Sequence, residues 1–513
     1  MKRSLRLILS ALAVYLLLLG LLVMAEGRAP DGSIRSLWDA VWFSLITMTT
    51  VGYGDLSPVT PLGRVLGMVF AFCSIGLLTA LLSLGLRLVS GEFLPRLRLR
   101  RGRNRSWFAF SEENEDAVVL ARELSRTDPD CLLIFPETEE RLLRERNAVR
   151  LSVEADELLR LRGQREGLCL FCLSGDAWKN EEQGFKAAEQ GITTYCMAET
   201  EPEHQPEKLR LFSREEAVAR CYWKEHPLRE SERRVVLLGC GKSGAKLLER
   251  ALLTNVFPPD RPVEYCVFDD TAGFSYLHPV LTRALSPEAP KEDQLLFCTE
   301  DWRRSAALLN RADRIILCYD SDRENLAAYE TIHTWLPTGA QLHLRLNEPV
   351  PGLICFGARE SVMTTEFVMM DVINRQAEAM NEIYNRGAAK PTPWQELSPF
   401  LRQSNIAAAD HLIVKARLLL GQEELKELTP ELCGKAYARY REICDREADS
   451  LQELEHRRWM RFHQMYNWCY DPVRNNVQRL HPLLLPYEQL SPEDQKKDAY
   501  AWEMLGLLAE RKE

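Results

Sequence analysis

The sequence predicts three structural classes in one chain: a membrane-inserted α-helical segment, two α/β lobes and a mostly α-helical C-terminal domain. Two long apolar runs separated by a shorter one indicate the membrane segment. Short apolar runs that alternate with helical stretches indicate the α/β lobes. The expected boundaries are 1–92 for the membrane segment, 93–105 for a basic linker, 106–226 and 227–386 for the two lobes, and 394–513 for the last domain.

Composition limits the function classes. The chain has 513 residues, of which 46% are apolar and 27% charged, so most of it should be globular rather than disordered. The net charge of −9 gives no support to a nucleic-acid partner. The 14 cysteines are scattered and fit a reducing compartment. Cys169 and Cys172 have CxxC spacing, but they lie in a strand-like run where residues three apart face opposite sides, so we expect no metal or redox role.

The first long apolar run, Leu7–Met24, is long enough to cross a bilayer as a helix. A signal peptide is the alternative, but the run is long for one and no small-residue cleavage site follows. The second run, Val65–Val89, precedes six arginines in 96–105, which are either a membrane-proximal patch or a solvated linker. Basic residues outside both runs predict a multi-pass protein of the cell membrane with both termini in the cytoplasm.

Between these runs, 36–50 is apolar but too short to cross the bilayer again. Irregular backbone at membrane depth is tolerated only where protein or a water-filled cavity surrounds it, which favours a short helix followed by an extended strand. Glycines at 52 and 54 permit backbone conformations that a side chain would forbid. Trp38 and Trp42 lie four residues apart, so they share a face of the short helix and can support the strand from behind. The strand itself comprises Thr50, Val51, Gly52, Tyr53 and Gly54.

The stretch TVGYGD resembles the potassium-channel signature, and PVTPLGR (58–64) resembles the start of the inner helix of two-span channels. The resemblance covers about residues 5–92. It implies a lipid bilayer, a pore helix, and a homotetramer in which residues 50–54 of four chains form an ion-selectivity filter that holds K⁺. It also implies a gate hinge at Gly76, with Gly67 and Gly85 as other candidates. Close helix packing is the alternative role for all three glycines.

The two α/β lobes differ at the turn after their first strand. The first lobe has the acidic, glycine-free stretch SEENED (111–116), which would repel a phosphate. The second lobe has Gly239, Gly241 and Gly244 after a strand, and Asp269 at the end of the next strand. This pattern predicts a dinucleotide site with phosphate at a helix N-terminus and the acid on a ribose. Glycines kept for packing alone are the alternative.

Both lobes resemble RCK domains of the TrkA-N type, strongly in the second lobe and weakly in the first. The resemblance covers about 106–386 and implies a cytoplasmic ring that changes shape when a ligand binds. It also implies NAD(H) or another nucleotide as the ligand of the second lobe.

The C-terminal region, about 394–510, resembles the Ry domain, a repeat named after ryanodine receptors. The matching residues are Arg402, Ser404, Asn405, Lys415, Leu454, Glu455, His456, Arg458, Trp459, Trp468, His481, Pro482, Pro486, Tyr487 and Asp498. A pocket for an anionic small molecule is one interpretation; a small helical core is the other. Its residues would be Trp394, Arg458, Trp459, His481 and Tyr487. The spacing of His456, His463 and His481 matches no common zinc site.

These observations predict a ligand-gated potassium channel rather than an enzyme, since no general acid, nucleophile or metal cluster accompanies the glycine turn. A membrane-anchored NAD-dependent oxidoreductase is one alternative. A channel opened by a nucleotide messenger in a bacterial defence system is another; it differs in ligand and physiology but not in its pore.

Overall fold

The computed structural model describes residues 2–48, 51–88, 93–138, 140–163, 166–199, 202, 204–288, 292–335, 339–386, 388 and 390–510. The chain divides into two compact units. Unit 1 comprises 1–105, 134–137 and 149–164, and unit 2 comprises 106–133, 138–148 and 165–513.

The α-helices, in chain order, are α1 (Lys2–Glu26), α2 (Leu37–Met48), α3 (Pro61–Leu88), α4 (Leu94–Arg101), α5 (Glu115–Thr127), α6 (Ala155–Arg162), α7 (Ala177–Glu189), α8 (Arg214–Glu225), α9 (Lys242–Thr254), α10 (Phe274–Leu277), α11 (Pro279–Ala284), α12 (Ala306–Leu309), α13 (Asp322–Trp335), α14 (Arg359–Val362), α15 (Thr365–Val368), α16 (Arg375–Arg386), α17 (Pro399–Leu420), α18 (Pro430–Met465), α19 (Pro492–Gln495) and α20 (Tyr500–Ala509). Short 3₁₀ turns lie at Trp302–Arg304, Val372–Asn374, Trp394–Glu396, Tyr487–Gln489 and Lys496–Ala499.

The strands are β1 (Trp107–Phe110), β2 (Leu132–Phe135), β3 (Ala148–Arg150), β4 (Leu168–Cys172), β5 (Thr193–Met197), β6 (Leu209–Phe212), β7 (Arg234–Leu238), β8 (Glu264–Phe268), β9 (Gln294–Cys298), β10 (Arg314–Leu317), β11 (Gln341–Arg345), β12 (Ile354–Phe356), β13 (Cys469–Tyr470) and β14 (Leu480–His481).

Helices α1, α2 and α3 form the main part of unit 1. Their contact is apolar, with Leu19, Leu22, Ile34 and Ala40 fully buried. One polar contact joins α1 to α2, because the hydroxyls of Tyr15 and Ser44 lie 2.7 Å apart. Within the described residues, no helix combines the length and the hydropathy that a bilayer span requires.

The structure contains the two parallel sheets that the sequence predicts, so the α/β prediction is confirmed. Across the described strands, the first sheet has the order β3-β2-β1-β4-β5-β6 and the second has the order β12-β11-β10-β7-β8-β9. Numbered within each lobe, both orders are 3-2-1-4-5-6, the doubly wound arrangement whose ligand crevice lies where the strand order reverses. In the second sheet that point lies between β7 and β10, where Leu238 pairs with Leu317.

The same buried asparagine contact occurs in both lobes. In the first lobe Asn180, on α7, accepts from Ser174 N (2.7 Å) and donates to Ser174 O (2.8 Å) and Met197 O (3.0 Å). In the second lobe Asn325, on α13, accepts from Tyr319 N (2.9 Å) and donates to Tyr319 O (2.9 Å) and Arg345 O (2.8 Å). Each asparagine therefore fixes the second residue after the fourth strand of its lobe and the end of the fifth.

The C-terminal region is helical, as predicted. Helices α16, α17, α18 and α20 share one apolar core that includes Trp394 and Trp502. Helix α18 has a kink at Glu447, where φ is −121° and ψ is 17°. Helix α17 also packs on α9, so the C-terminal region contacts the second lobe directly. His411 on α17 places its Nε2 2.9 Å from the carbonyl oxygen of Val256, just beyond the end of α9.

Candidate functional site

The short helix α2 begins with a reciprocal cap. Asp39 Oδ2 accepts from Ser36 N at 2.8 Å, and Ser36 Oγ accepts from Asp39 N at 3.1 Å. Such a pair satisfies two backbone donors that the first turn of a helix leaves free. At the other end the chain turns over the helix terminus, because Ile46 O accepts from Val51 N at 3.1 Å. The polar cap and this turn fix where the strand after α2 begins.

The backbone of that strand alternates in handedness. Gly52 and Gly54 have φ angles of 57° and 75°, whereas Val51 and Tyr53 lie outside the left-handed region. Alternation of this kind turns successive carbonyl groups toward the same side of the strand. A Cβ added at either glycine would meet nothing within 4 Å in this chain, so the backbone conformation, not crowding, requires glycine here. Thr50, the first predicted filter residue, lies outside the described residues.

One side chain of α2 bonds the far end of the strand. Trp42 Nε1 donates to Asp55 Oδ2 at 2.9 Å. Trp38, which we expected beside Trp42 behind the strand, is 77% exposed in the single chain, and Tyr53 is 70% exposed. Gly76, the predicted hinge, falls in α3 at a position whose surroundings lie outside the described residues.

A buried carboxylate, missed from the sequence, joins the end of α1 to the start of α3. Glu26 is fully buried and accepts from Val59 N (2.9 Å), Thr60 N (2.9 Å) and Thr60 Oγ1 (2.6 Å). Thr60 Oγ1 in turn accepts from Gly63 N at 2.9 Å, which caps α3. A Cβ at Gly63 would lie 1.8 Å from Glu26 Oε1, so this contact leaves no room for a side chain. A glutamate at the end of an apolar helix, followed by a Thr-Pro helix start, is the signal that could have identified it.

In the second lobe the three predicted glycines come together at the turn between β7 and α9. Gly239 has a φ of 93°, which favours glycine. A Cβ at Gly244 would lie 2.1 Å from Gly239 O, so this glycine allows the helix to approach the turn closely. Gly241 is the N-cap of α9 and offers no capping side chain. The turn thus has the conformation of a phosphate-binding loop, and the backbone donors at the start of α9 have no partner from the side chain of Gly241.

Asp269 follows β8 at the same edge of the sheet and is exposed, with a φ of 57°. The side chain of its neighbour Asp270 bonds the following turn, where it accepts from Phe274 N (2.8 Å) and Ser275 Oγ (2.7 Å). Asp269, which does not fix its own loop in this way, is therefore the acid of the pair that is placed for a ribose hydroxyl.

Two further residues at this turn were missed from the sequence. Asp320 Oδ2 accepts from Lys242 N at 3.0 Å, and Asp320 Oδ1 accepts from Ser243 N at 2.9 Å. Tyr319 Oη donates to Asp269 Oδ2 at 2.5 Å, and burial together with this bond raises the pKa of the Tyr319 hydroxyl. Both residues follow β10, the neighbour of β7. The signal that could have identified them is their position at the point where the strand order reverses.

The corresponding turn of the first lobe is occupied by its own side chains. Asn114 caps α5, with Oδ1 accepting from Ala117 N at 2.9 Å. Glu113 is buried and accepts from Leu143 N at 2.8 Å. Asp116, in the first turn of α5, is paired with Arg359 at 3.1 Å. The acidic turn is thus satisfied within the chain.

The residues of the predicted C-terminal pocket separate into three environments. Arg458 lies in a buried ion network: its Nη2 donates to Glu455 Oε1 at 2.7 Å, and Lys415 Nζ donates to Glu455 Oε2 at 2.6 Å. Burial raises the pKa of Glu455, but Arg458 and Lys415 outweigh it and lower that pKa to about 2. Trp394 packs in the helical core instead.

Trp459 and His481 do come together. Their ring centroids lie 4.9 Å apart, next to His463, and burial lowers the pKa of His481 with help from nearby Arg474. Tyr487 bonds Gln452 Oε1 at 3.1 Å. Among the described residues, no group of three or more histidine, cysteine or acidic side chains is arranged to hold a metal.

Residues 5–90 match the family model described as "Ion channel". Two relatives are a voltage-gated potassium channel of Aeropyrum pernix, 44% identical over 59 residues, and the calcium-gated potassium channel TvoK of Thermoplasma volcanium, 41% identical over 58 residues. The match to the first relative covers 12% of this chain and 20% of that relative. The match to the second covers 11% of this chain and 17% of that relative.

Among solved structures, "GsuK bound to ADP" aligns with a TM-score of 0.34 at 16% identity, covering 70% of this chain and 96% of that one. "GsuK channel bound to NAD" aligns with a TM-score of 0.30 at 12% identity, covering 82% and 85%.

The N-terminal segment, residues 5–90, is therefore similar to the ion-channel domains of potassium channels. This similarity implies a membrane location.

Proposed function

We propose that this protein is a ligand-gated potassium channel of the cell membrane. Four copies of 50–54 form the selectivity filter. The apolar runs 7–24 and 65–89, whose sequences are long enough to span a bilayer, cross the membrane, with both chain termini in the cytoplasm. The two α/β lobes and the C-terminal domain sense a small ligand and move the inner helices. Only a difference in ligand affinity between the closed and open states can drive that motion.

The observation that carries the proposal is the alternating backbone at Gly52 and Gly54 within a segment that matches the ion-channel family. Carbonyl groups turned to one side of a strand can replace the water around a K⁺ ion when several strands surround one axis. The bond between Trp42 and Asp55 supports the role, since it holds the end of the strand against α2.

A tetramer is consistent with the surface of the single chain. Tyr53 and Trp38 are 70% and 77% exposed, although aromatic side chains on a membrane protein are normally packed or at an interface. One strand also contributes only part of a coordination shell. Contacts with neighbouring copies around a fourfold axis would cover these rings.

For the ligand we propose a nucleotide at the turn of Gly239, Gly241 and Gly244. The close approach at Gly244 and the exposed carboxylate of Asp269 support this site. Helix α9 starts at the turn and reaches the C-terminal domain, where Arg250 Nη2 donates to Gln403 Oε1 at 2.5 Å. A displacement of α9 by the ligand would therefore act on that domain as well.

The test is flux from liposomes that contain the full chain. We expect K⁺ efflux to exceed Na⁺ efflux, and Gly52→Ala to abolish it, because alanine in the left-handed region costs roughly 1–2 kcal/mol in each of four subunits. Gly20→Ala is the matched control: a Cβ at this helical glycine meets nothing within 4 Å, so flux should persist.

Addition of ADP or NAD(H) tests the gate in the same liposomes. We expect one of them to change the K⁺ efflux rate. Equal Na⁺ and K⁺ flux would contradict the pore, whereas selective flux that no nucleotide alters would contradict only the ligand.

A further inference from the structure

The second and third residues after β10, here called the Tyr319–Asp320 segment, lie on the glycine turn of the second lobe. The carboxylate of Asp320 bonds the first two backbone donors of α9, at Lys242 and Ser243. These are the N–H groups that a helix N-terminus offers to a phosphate. A Cβ at Gly241 would lie 2.2 Å from Asp320 Oδ2, so the carboxylate sits directly over the turn.

Tyr319 occupies the other half of the same crevice. Its hydroxyl bonds Asp269, the acid available for a ribose. Its ring lies so close to the turn that a Cβ at Gly239 would be 2.7 Å from Tyr319 Cδ1. One dipeptide thus satisfies both the phosphate donors and the ribose acceptor of the predicted site.

The first lobe provides an internal comparison. Counted from the last residue of the fourth strand, Ser174 and Gly175 stand where Tyr319 and Asp320 stand in the second lobe. The first-lobe turn is capped by its own Asn114 and has no carboxylate from this position. The Tyr319–Asp320 segment therefore occurs in the lobe that has the glycine turn, where the residue before the helix has no side chain that could cap it.

We infer that the Tyr319–Asp320 segment holds the empty site in a self-bonded state, and that a nucleotide must displace both side chains to bind. The inference rests on the proposed nucleotide site and adds its regulation. The Asp320 carboxylate and a ligand phosphate compete for the same two N–H groups, and both are negative, so they cannot share them. The Tyr319 hydroxyl and a ribose hydroxyl compete for the same oxygen, Asp269 Oδ2.

Displacement needs only side-chain rotation. Asn325 bonds both the N–H and the carbonyl of Tyr319, which keeps the backbone in place. Asp320 is exposed, so its carboxylate is solvated as soon as it leaves the turn. The contact can thus exchange with a ligand without unfolding the lobe.

The experiment measures ADP and adenosine binding to the full chain in detergent, for the wild type, Asp320→Asn and Asp320→Ala. A lost carboxylate cap is worth about 1 kcal/mol, so we expect ADP to bind roughly 5-fold more tightly to Asp320→Ala. Adenosine, which has no phosphate, should be unaffected by either change. Tyr319→Phe should instead tighten adenosine and ADP alike, because it frees Asp269.

Glu324→Gln is the matched control, since it removes one exposed charge four residues away without touching the turn. Amide exchange of the unliganded chain provides a readout without nucleotide: exchange at Lys242 and Ser243 should rise in Asp320→Ala and not in the control. Equal or weaker ADP binding in Asp320→Ala would overturn the inference while leaving the proposed site intact. Absence of ADP binding in every variant would overturn both.

Discussion

The two α/β lobes have the same strand order and the same buried asparagine, yet they differ at the turn after the first strand. In the first lobe the turn is acidic and bonded to its own chain through Asn114 and Glu113. In the second it contains three glycines and is covered by Asp320, which follows the neighbouring strand β10. The same strand order thus places a crevice in both lobes, and in the proposed function the turn decides whether a phosphate can enter it.

The largest expected loss of stability comes from removing the buried asparagine that both lobes share. Asn180→Ala and Asn325→Ala each leave one backbone N–H and two carbonyls without their partner, at a cost of about 4 kcal/mol of local stability. Amide exchange of the full chain, followed separately in each lobe, measures this loss. We expect similar losses, but altered ADP binding only in Asn325→Ala, because it alone releases Tyr319. A loss confined to one lobe would break the comparison.

The next largest loss of stability concerns an ion pair between the first lobe and the second. Glu216 on α8 pairs with Arg250 on α9 at 2.7 Å. Burial raises the pKa of Glu216, but Arg250 outweighs it together with Lys246 and Arg220 and lowers that pKa from 4.5 to about 2. A carboxyl group whose pKa is lower in the folded state than in the unfolded state stabilises the fold at pH values above the unfolded-state pKa. This stabilisation is lost as the pH falls through the folded-state pKa.

We therefore expect the thermal midpoint to fall between pH about 4.5 and about 2. Glu216→Gln should lose on the order of 2 kcal/mol at neutral pH and show a shallower acid decline. Glu225→Gln, on the exposed face of the same helix, is the control. An unchanged acid profile in Glu216→Gln would show that the pair does not join the lobes energetically.

A third test exchanges the residues at one helical position. Gly244 and Ala117 both stand third in the first helix of their lobe. Gly244→Ala should cost about 2 kcal/mol, because its Cβ would lie 2.1 Å from Gly239 O. Ala117→Gly should cost only about 1 kcal/mol through helix propensity. Local amide exchange again measures both, and equal losses would mean that the close approach is not specific to the second lobe.

The smallest effect concerns the exposed lysines near the two turns. Lys179 pairs with Glu112 at 3.3 Å in the first lobe, and Lys242 pairs with Glu199 in the second. Exposed pairs contribute about 0.5 kcal/mol and are screened by salt. Lys179→Ala and Lys242→Ala should therefore shift the thermal midpoint slightly and equally, and high salt should remove the difference from the wild type. A larger, salt-resistant loss would contradict this.

The sequence was sufficient for features that depend on neighbouring residues. The alternation of strands and helices predicted both sheets, and the glycine spacing located the turn of the second lobe. Asp320 and Asn325 were not predicted, because they reach the turn only through the order in which separate strands pair. The C-terminal set was chosen by residue type. Arg458 instead pairs with Glu455, three residues earlier on α18, and only the packing of α17 against α18 brings Lys415 to the same buried carboxylate.

The buried carboxylate of Glu26 has a mechanical consequence. It fixes the first turn of α3 to the end of α1, while α3 extends over 28 residues, or about 42 Å. A rigid rod held at one end turns about that end, so a tilt of roughly 10° there would carry the opposite terminus through about 7 Å. In the proposed channel, a small torque near 93–105 would thus widen the opening at that end of α3 while the end near 50–54 stays still.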